Sequence, residues 1–428
     1  MTAHAIPTPS KNTLKVQRVM ASCGVEAWLV EEHALPMIAF EFTFENGATR
    51  DPAGLGGAAY LVSGLIDEGA GDLDSEAFQA RLADQAIDLS FSARSDAFSG
   101  SMRCLTRHKA EAFTLLALAL NAPRFDEDAI ERVKGQVISG LKRAAQNPDS
   151  ICSDAFFAAA FPGHTYGRPV KGTEDTVTAV DTAALRSVSM GLFQRAGLKV
   201  VVVGDITATE LAKELDAVFG ALPLGMARDV ITSPMAVSGL GQTHVIEMDV
   251  PQTVLRFGAP GLLRNDPDFI IATVVNHMLG GSAFTSRLFM EVREKRGLAY
   301  GVSSSLYPLR EAALHFGGTA TKNDRAAESM DVIRAEMAKL AAEGPGEDEI
   351  SEAKRYLIGS YPLRFDTSPK IAAELMGLAT NNLPPEFVGE RNSLFAAVTR
   401  DEAHRVARRL YGSGQLLVQA VGKPENLT

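Results

Sequence analysis

Cysteine is scarce: only Cys23, Cys104 and Cys152 occur in 428 residues, odd in number and widely spaced. That excludes a disulfide framework and a thiolate zinc site, and three free cysteines of this kind read as small apolar core residues. There is no run of Lys and Arg, and a net charge of −10 with a pI near 5.4 offers no surface for a phosphate backbone. Nucleic acid is therefore not an expected partner. No apolar stretch approaches the ~20 residues of a membrane helix, so no membrane span is expected. The start, MTAHAIPTPSKNTLKV, is polar and lacks an apolar signal core. The chain as given reads as cytoplasmic; a trimmed secretory signal, which leaves no trace, would make it periplasmic. The eight histidines never fall three or four positions apart, so no helix presents two of them to a metal. His164, in FPGHTYGRPVKGT, reads as a loop histidine with structural hydrogen bonds.

What is present is the composition of a globular protein, 46% hydrophobic and 22% charged, in a chain too long for one ordinary domain. The chain is also written twice. LPMIAFEFTF followed by Asp51-Pro52 and an apolar helix is echoed by VPQTVLRFGAPG followed by Asp266-Pro267 and another. Pro36 to Pro251 and Asp51 to Asp266 are both 215 positions apart. The helix DEDAIERVKGQVISGLKR is echoed by EDEISEAKRYLIGSY at an offset of 220. VDTAALRSVSMGLF with the strand LKVVVVGD is echoed by VTRDEAHRVARRLY with QLLVQAVGK at 218. Three landmarks in one order at nearly one offset predict two homologous domains, 1–222 and 243–428, joined by a Pro- and Gly-bearing linker over 223–242. Alternation in Ala39–Phe44 predicts a strand, and apolar spacing predicts helices over 75–88, 109–121 and 127–146. Strands first and last with helices between, lacking strict βαβ alternation, predict an α+β fold: in each domain a mixed, largely antiparallel sheet covered by helices.

Two segments invite a chemical reading. GLGG at 54–57 is superficially like a dinucleotide loop, but it lacks the third glycine and the acidic residue on a second strand, and a turn into an Ala/Gly-rich helix explains it better. GGSAFTSRLFMEVREKRGLAYGVSSSLYP, residues 280–308, reads as a glycine turn, a helix over 283–296 stopped by Gly297, and a strand over 298–306. Taken alone, its charges suit a solvated helix face.

The run SRLFMEVREKRGLAYGVSS closely resembles the second-domain signature of the M16 metallopeptidases, which include pitrilysin, insulin-degrading enzyme and mitochondrial processing peptidase. With HTYGRPVKGT, VVVGDI and the duplicated halves, the resemblance extends over nearly the whole chain, at the length of the short-chain subfamily in which two chains pair around a chamber. Active members of that family carry His-x-x-Glu-His on the first helix, with two zinc-binding histidines and a glutamate that activates water, and a distal glutamate some 76 residues on. By the resemblance, Tyr60 and Gly64 stand at the histidine positions, Ser63 at the general base and Gly140 at the distal glutamate. None of these side chains supplies a zinc ligand set, so no metal is expected in this chain. The Ala/Gly/Leu periodicity still predicts a helix there.

The resemblance further implies that Arg293 and Tyr300, seven positions apart, bind substrate and stabilise the reacting carbonyl across the chamber. A permanent guanidinium charge and a phenol donor suit an oxyanion forming beside a metal. The implied function is that of a zinc-free subunit of a heterodimeric metallopeptidase. It would be inactive alone, acting on peptide substrates with a homologous partner that carries His-x-x-Glu-His and the zinc. The alternatives are a non-catalytic scaffold like the core proteins of the respiratory bc1 complex, or a peptide-binding homodimer.

Overall fold

The computed structural model describes residues 14–226 and 234–427; residues 227–233 of the expected linker lie outside them. Eleven strands are assigned among these residues: β1 Gln17–Met20, β2 Glu26–Glu31, β3 Met37–Phe44, β4 Asp88–Ala93, β5 Phe98–Leu105, β6 Lys199–Gly204, β7 Thr243–Glu247, β8 Gln252–Pro260, β9 Ala299–Pro308, β10 Ala313–Lys322 and β11 Leu417–Gly422. They form two sheets, ordered β1-β2-β6-β3-β5-β4 and β7-β11-β8-β10-β9. In each, a parallel pair (β2 with β6, β7 with β11) is followed by three antiparallel pairings. The fold is α+β, two mixed sheets with helices. The second sheet repeats the first strand for strand, except that β1, antiparallel to β2, has no counterpart beyond β7.

Side-chain alternation explains which face each strand buries. Ile38, Phe40, Phe42 and Phe44 point into the first core, where Phe40 meets Phe113 edge-on at 5.4 Å. The intervening Ala39 lies on the opposite face. In β6 the unbroken β-branched run is buried on both sides: Val200 and Val202 face the first core, Val201 and Val203 a second apolar layer.

That second layer is contributed from the other half. The helix Ser368–Thr380 lays Ala372, Leu375, Met376 and Ala379 on Trp28, Ala39, Val201 and Val203. Reciprocally, the helix Pro148–Ala160 lays Phe156 and Ala160 on Leu314 and Leu417 of the second sheet. Both helices start with proline in the first turn, where its missing N–H costs nothing. Each half therefore covers the far face of the other's sheet. Burying a large aliphatic or aromatic side chain there contributes roughly 1.5–3 kcal/mol, which fastens the halves together.

Local boundaries differ from the sequence reading most in two places, besides shifts of one or two residues at Glu127–Ala144 and Ala299–Pro308. The helix expected over 75–88 ends at Asp84, because Ala86 takes a left-handed φ of 50° and the Ile87 N–H turns back to the Leu82 carbonyl, releasing β4 from Asp88. In the segment expected as a helix over 283–296, residues 283–285 form a turn and Phe289–Glu294 winds as a wide π-type turn, with the Lys295 N–H reaching the Met290 carbonyl.

Candidate functional site

Asp51 organises the first helix. Its carboxylate accepts the N–H groups of Gly57 (2.8 Å) and Ala59 (2.9 Å), the donors a phosphate would need. A Cβ on Gly57 would stand 2.6 Å from the Lys171 carbonyl oxygen, so close packing and a φ of 95° account for this glycine. The GLGG turn is thus a capped helix start. Burial raises the Asp51 carboxyl to about 6, against the pull of these two amides.

The helix it caps is short, Ala58–Ser63, and Gly64 is its C-cap. Tyr60 is half-buried, and its ring lies 5.5 Å beneath the Lys171 ammonium. The Ser63 hydroxyl donates to the Tyr60 carbonyl at 2.7 Å, while the Gly64 N–H goes to Leu61 instead. The last turn is therefore tightened, and Gly64 falls at the helix end, outside its regular turns. The helix Glu127–Ala144 packs against this segment, with Val133 3.4 Å from where a Gly64 Cβ would be, and Gly140 lies further along that helix. Among the described residues, no three His, Cys, Asp or Glu converge in a way that could hold a metal ion.

Arg293 and Tyr300 are brought together. The Arg293 guanidinium lies 4.9 Å from the ring centre of Phe289 and 4.6 Å from that of Tyr300, stacked against both rings. The π-type turn places Phe289 and Arg293 on this side, and Gly297, at φ 60°, ends it and turns the chain into β9. β9 is the edge of its sheet. Its register with β10 shifts between Thr319 and Thr321, so Tyr300 and Gly301 together face Ala320. Such a bulge re-aims a side chain, and Tyr300 is 85% exposed. An arginine set against two rings, with Glu294 3.7 Å from its Nε, beside a solvent-facing phenol offers hydrogen-bond donors to an external acceptor.

A polar junction that the sequence did not announce joins the halves. The Tyr166 hydroxyl meets the Asp96 carboxylate at 2.8 and 3.0 Å and accepts the Glu311 N–H at 3.0 Å; Asp96 also accepts the Arg310 N–H. His164, expected as a structural loop histidine, accepts the Tyr166 N–H through Nδ1 and lies 3.6 Å from Glu311. Nothing in the local pattern of HTYG points to Asp96, which is 70 residues away.

Two mixed sheets with helices, the second sheet repeating the first, define the class: a duplicated α+β fold. Comparison with known proteins gives its family. Residues 32–174 match the model for insulinase (peptidase family M16), and residues 181–357 match that for the peptidase M16 inactive domain. The chain belongs to the M16 peptidase family. It is 26% identical over 338 residues to "Non-peptidase homolog YmxG" of Helicobacter pylori, covering 79% of this chain and 78% of that one. It is likewise 26% identical over 394 residues to "Uncharacterized zinc protease SCO5738" of Streptomyces coelicolor, covering 86% and 81%. A crystal structure of a peptidase M16 inactive domain from Pseudomonas fluorescens superposes with a TM-score of 0.89 at 25% identity, covering 97% of this chain and all of that one. A protease structure from Helicobacter pylori shares the fold, with a TM-score of 0.85 over 95% and 99% of the two chains. Among the described residues no helix is long and apolar enough to cross a membrane.

Proposed function

We propose that this chain is the zinc-free subunit of a two-chain M16 peptidase, acting on peptides only beside a homologous partner that carries His-x-x-Glu-His and the zinc. The observation that carries this reading is the exposed pair: Arg293 stacked against Phe289 and Tyr300, with Tyr300 aimed outward from a bulged sheet edge. At 85% exposed, Tyr300 contributes little to its own core and its hydroxyl is open to an external acceptor. In this role Arg293 and Tyr300 donate hydrogen bonds to the substrate and to the oxyanion that develops in its scissile carbonyl. The partner supplies the metal and the activated water. Tyr60, Ser63, Gly64 and Gly140 are relics of the corresponding site in this chain. The domains expected at 1–222 and 243–428 would each wall one side of the chamber.

The test is isolation of the native complex at physiological concentration. Recovery of a zinc-bearing homologue in equal amount, with chelator-sensitive peptide hydrolysis that neither chain shows alone, supports the reading. Recovery of this chain as a metal-free homodimer overturns it. The name of the Helicobacter pylori relative favours a second reading, a scaffold or peptide-binding homodimer with no catalytic part, and the homodimer outcome would select that one.

A further inference from the structure

A second group of arginines lies apart from the Arg293–Tyr300 pair. Arg264 follows β8 and is half-buried; its guanidinium stacks 4.5 Å from the ring centre of Phe269 and 5.7 Å from that of Phe387. Among the described residues it makes no hydrogen bond and no ion pair. Arg391, on the helix Phe387–Ala397, lies between Tyr361 and Phe395 at 4.0 and 4.2 Å. Among the described residues one of its terminal nitrogens is engaged, with the Leu357 carbonyl (3.0 Å) and the Asn392 side chain (2.9 Å). One carboxylate, Glu374, sits within electrostatic reach of both arginines, and it is already hydrogen-bonded to Arg364 at 3.2 Å.

Glu374 thus has Arg364 in contact and Arg264 and Arg391 within electrostatic reach, in a protein whose net charge is −10. Arginines withdrawn from water are ordinarily paired, because an uncompensated buried charge is costly. Here burial lowers the Arg264 pKa and holds Arg391 near 10, while the Glu374 carboxylate pulls both the other way. Aromatic rings lie against both guanidiniums; Arg264 makes no hydrogen bond among the described residues and Arg391 keeps donors beyond the nitrogen bound to Leu357 and Asn392, which suits recognition of an oxyanion.

We propose that Arg264 and Arg391 form an oxyanion site that takes a carboxylate or a phosphate group. The site needs no partner chain and does not rest on the peptidase reading. Calorimetric titration of the purified chain with tetraglutamate, succinate or sodium phosphate, at ionic strength held constant with NaCl, tests it. The intact protein is expected to bind at least one of the three, and Arg264→Gln to weaken that binding about 10- to 100-fold, the scale of one charge-assisted hydrogen bond. Arg391→Gln also loses the bond to the Leu357 carbonyl, so the Arg264 variant, which sacrifices no hydrogen bond, decides. Binding of tetraglutamate and succinate without phosphate assigns a carboxylate, and phosphate alone assigns a phosphate group. No binding by the intact chain, or equal binding by Arg264→Gln, overturns the site.

Discussion

The Ser63 hydroxyl holds the Tyr60 carbonyl at 2.7 Å, one turn before Gly64 caps the helix. That bond takes the carbonyl which a regular turn would offer to the Gly64 N–H. On the proposed frame, in which Tyr60, Ser63 and Gly64 stand at the family's metal-motif positions, backbone as well as side chain departs from a regular helix there.

Repair of the site should show this coupling. The purified chain is expected to hold no stoichiometric zinc. Replacing Tyr60, Ser63, Gly64 and Gly140 by His, Glu, His and Glu removes the hydroxyl that competes for the Tyr60 carbonyl and lets the helix extend. A Cβ at Gly64 meets only a Val133 methyl at 3.4 Å and the Leu61 carbonyl at 3.8 Å, and one at Gly140 meets only Arg143 at 4.0 Å. The quadruple variant should then bind zinc, measured by competition with a chelating dye, though activity also needs groups that orient the histidines. A folded variant with no gain in zinc affinity would mean that the motif frame is misplaced.

The fold was legible where period and repetition speak. The β3 alternation and the doubled landmarks predict the α+β layers, and the M16 signature brings Arg293 and Tyr300 forward. Illegible were contacts made at long separation. Asp96 and Tyr166 carry no local signal of each other, and the outward aim of Tyr300 depends on a register shift opposite Ala320. Nothing in the sequence singles out Arg264 or Arg391; packing alone sets aromatic rings against both.

Tyr166→Phe tests the junction between the halves. It removes one donor to Asp96 and the acceptor of the Glu311 N–H, leaving part-buried polar groups short of partners. A loss of about 1–3 kcal/mol is expected in urea denaturation. No change would mean that solvent replaces the hydroxyl at no cost.

The pH profile should carry the mark of His315. It is fully buried, its Nδ1 has no hydrogen-bond partner, and burial pushes its pKa down to about 3. The unfolded chain takes up that proton near 6.5, so the histidine's contribution is complete above ~6.5 and is lost as pH falls from there towards 3. Asp51 and Asp67 act in the opposite sense. Burial raises both to about 6, so the folded chain binds their protons first and gains stability between pH 6 and 4. His315→Gln, whatever its stability at pH 7.5, should lose less between pH 7.5 and 5 than the natural chain. An identical loss in both would remove His315 from the account.

The stacked pair makes the sharpest kinetic prediction, because its two members separate by chemistry. Tyr300→Phe keeps a ring beside the Arg293 guanidinium and deletes only the hydroxyl. Arg293→Lys keeps a charge but loses the planar fork and the stacking against Phe289 and Tyr300. If the donors serve charge that develops only in the transition state, each loss lowers kcat more than it raises KM. A single oxyanion donor is worth about 10²–10³-fold in kcat, so Tyr300→Phe in the reconstituted complex should fall in that range. Arg293→Ala should fall at least as far, with Lys restoring only part. Tyr300 is 85% exposed, so complex size and zinc content should be unchanged, which separates a catalytic defect from a failure of assembly. Near-natural turnover by the Arg293→Ala/Tyr300→Phe double variant would make the pair an ordinary surface stack and leave the scaffold reading in its place.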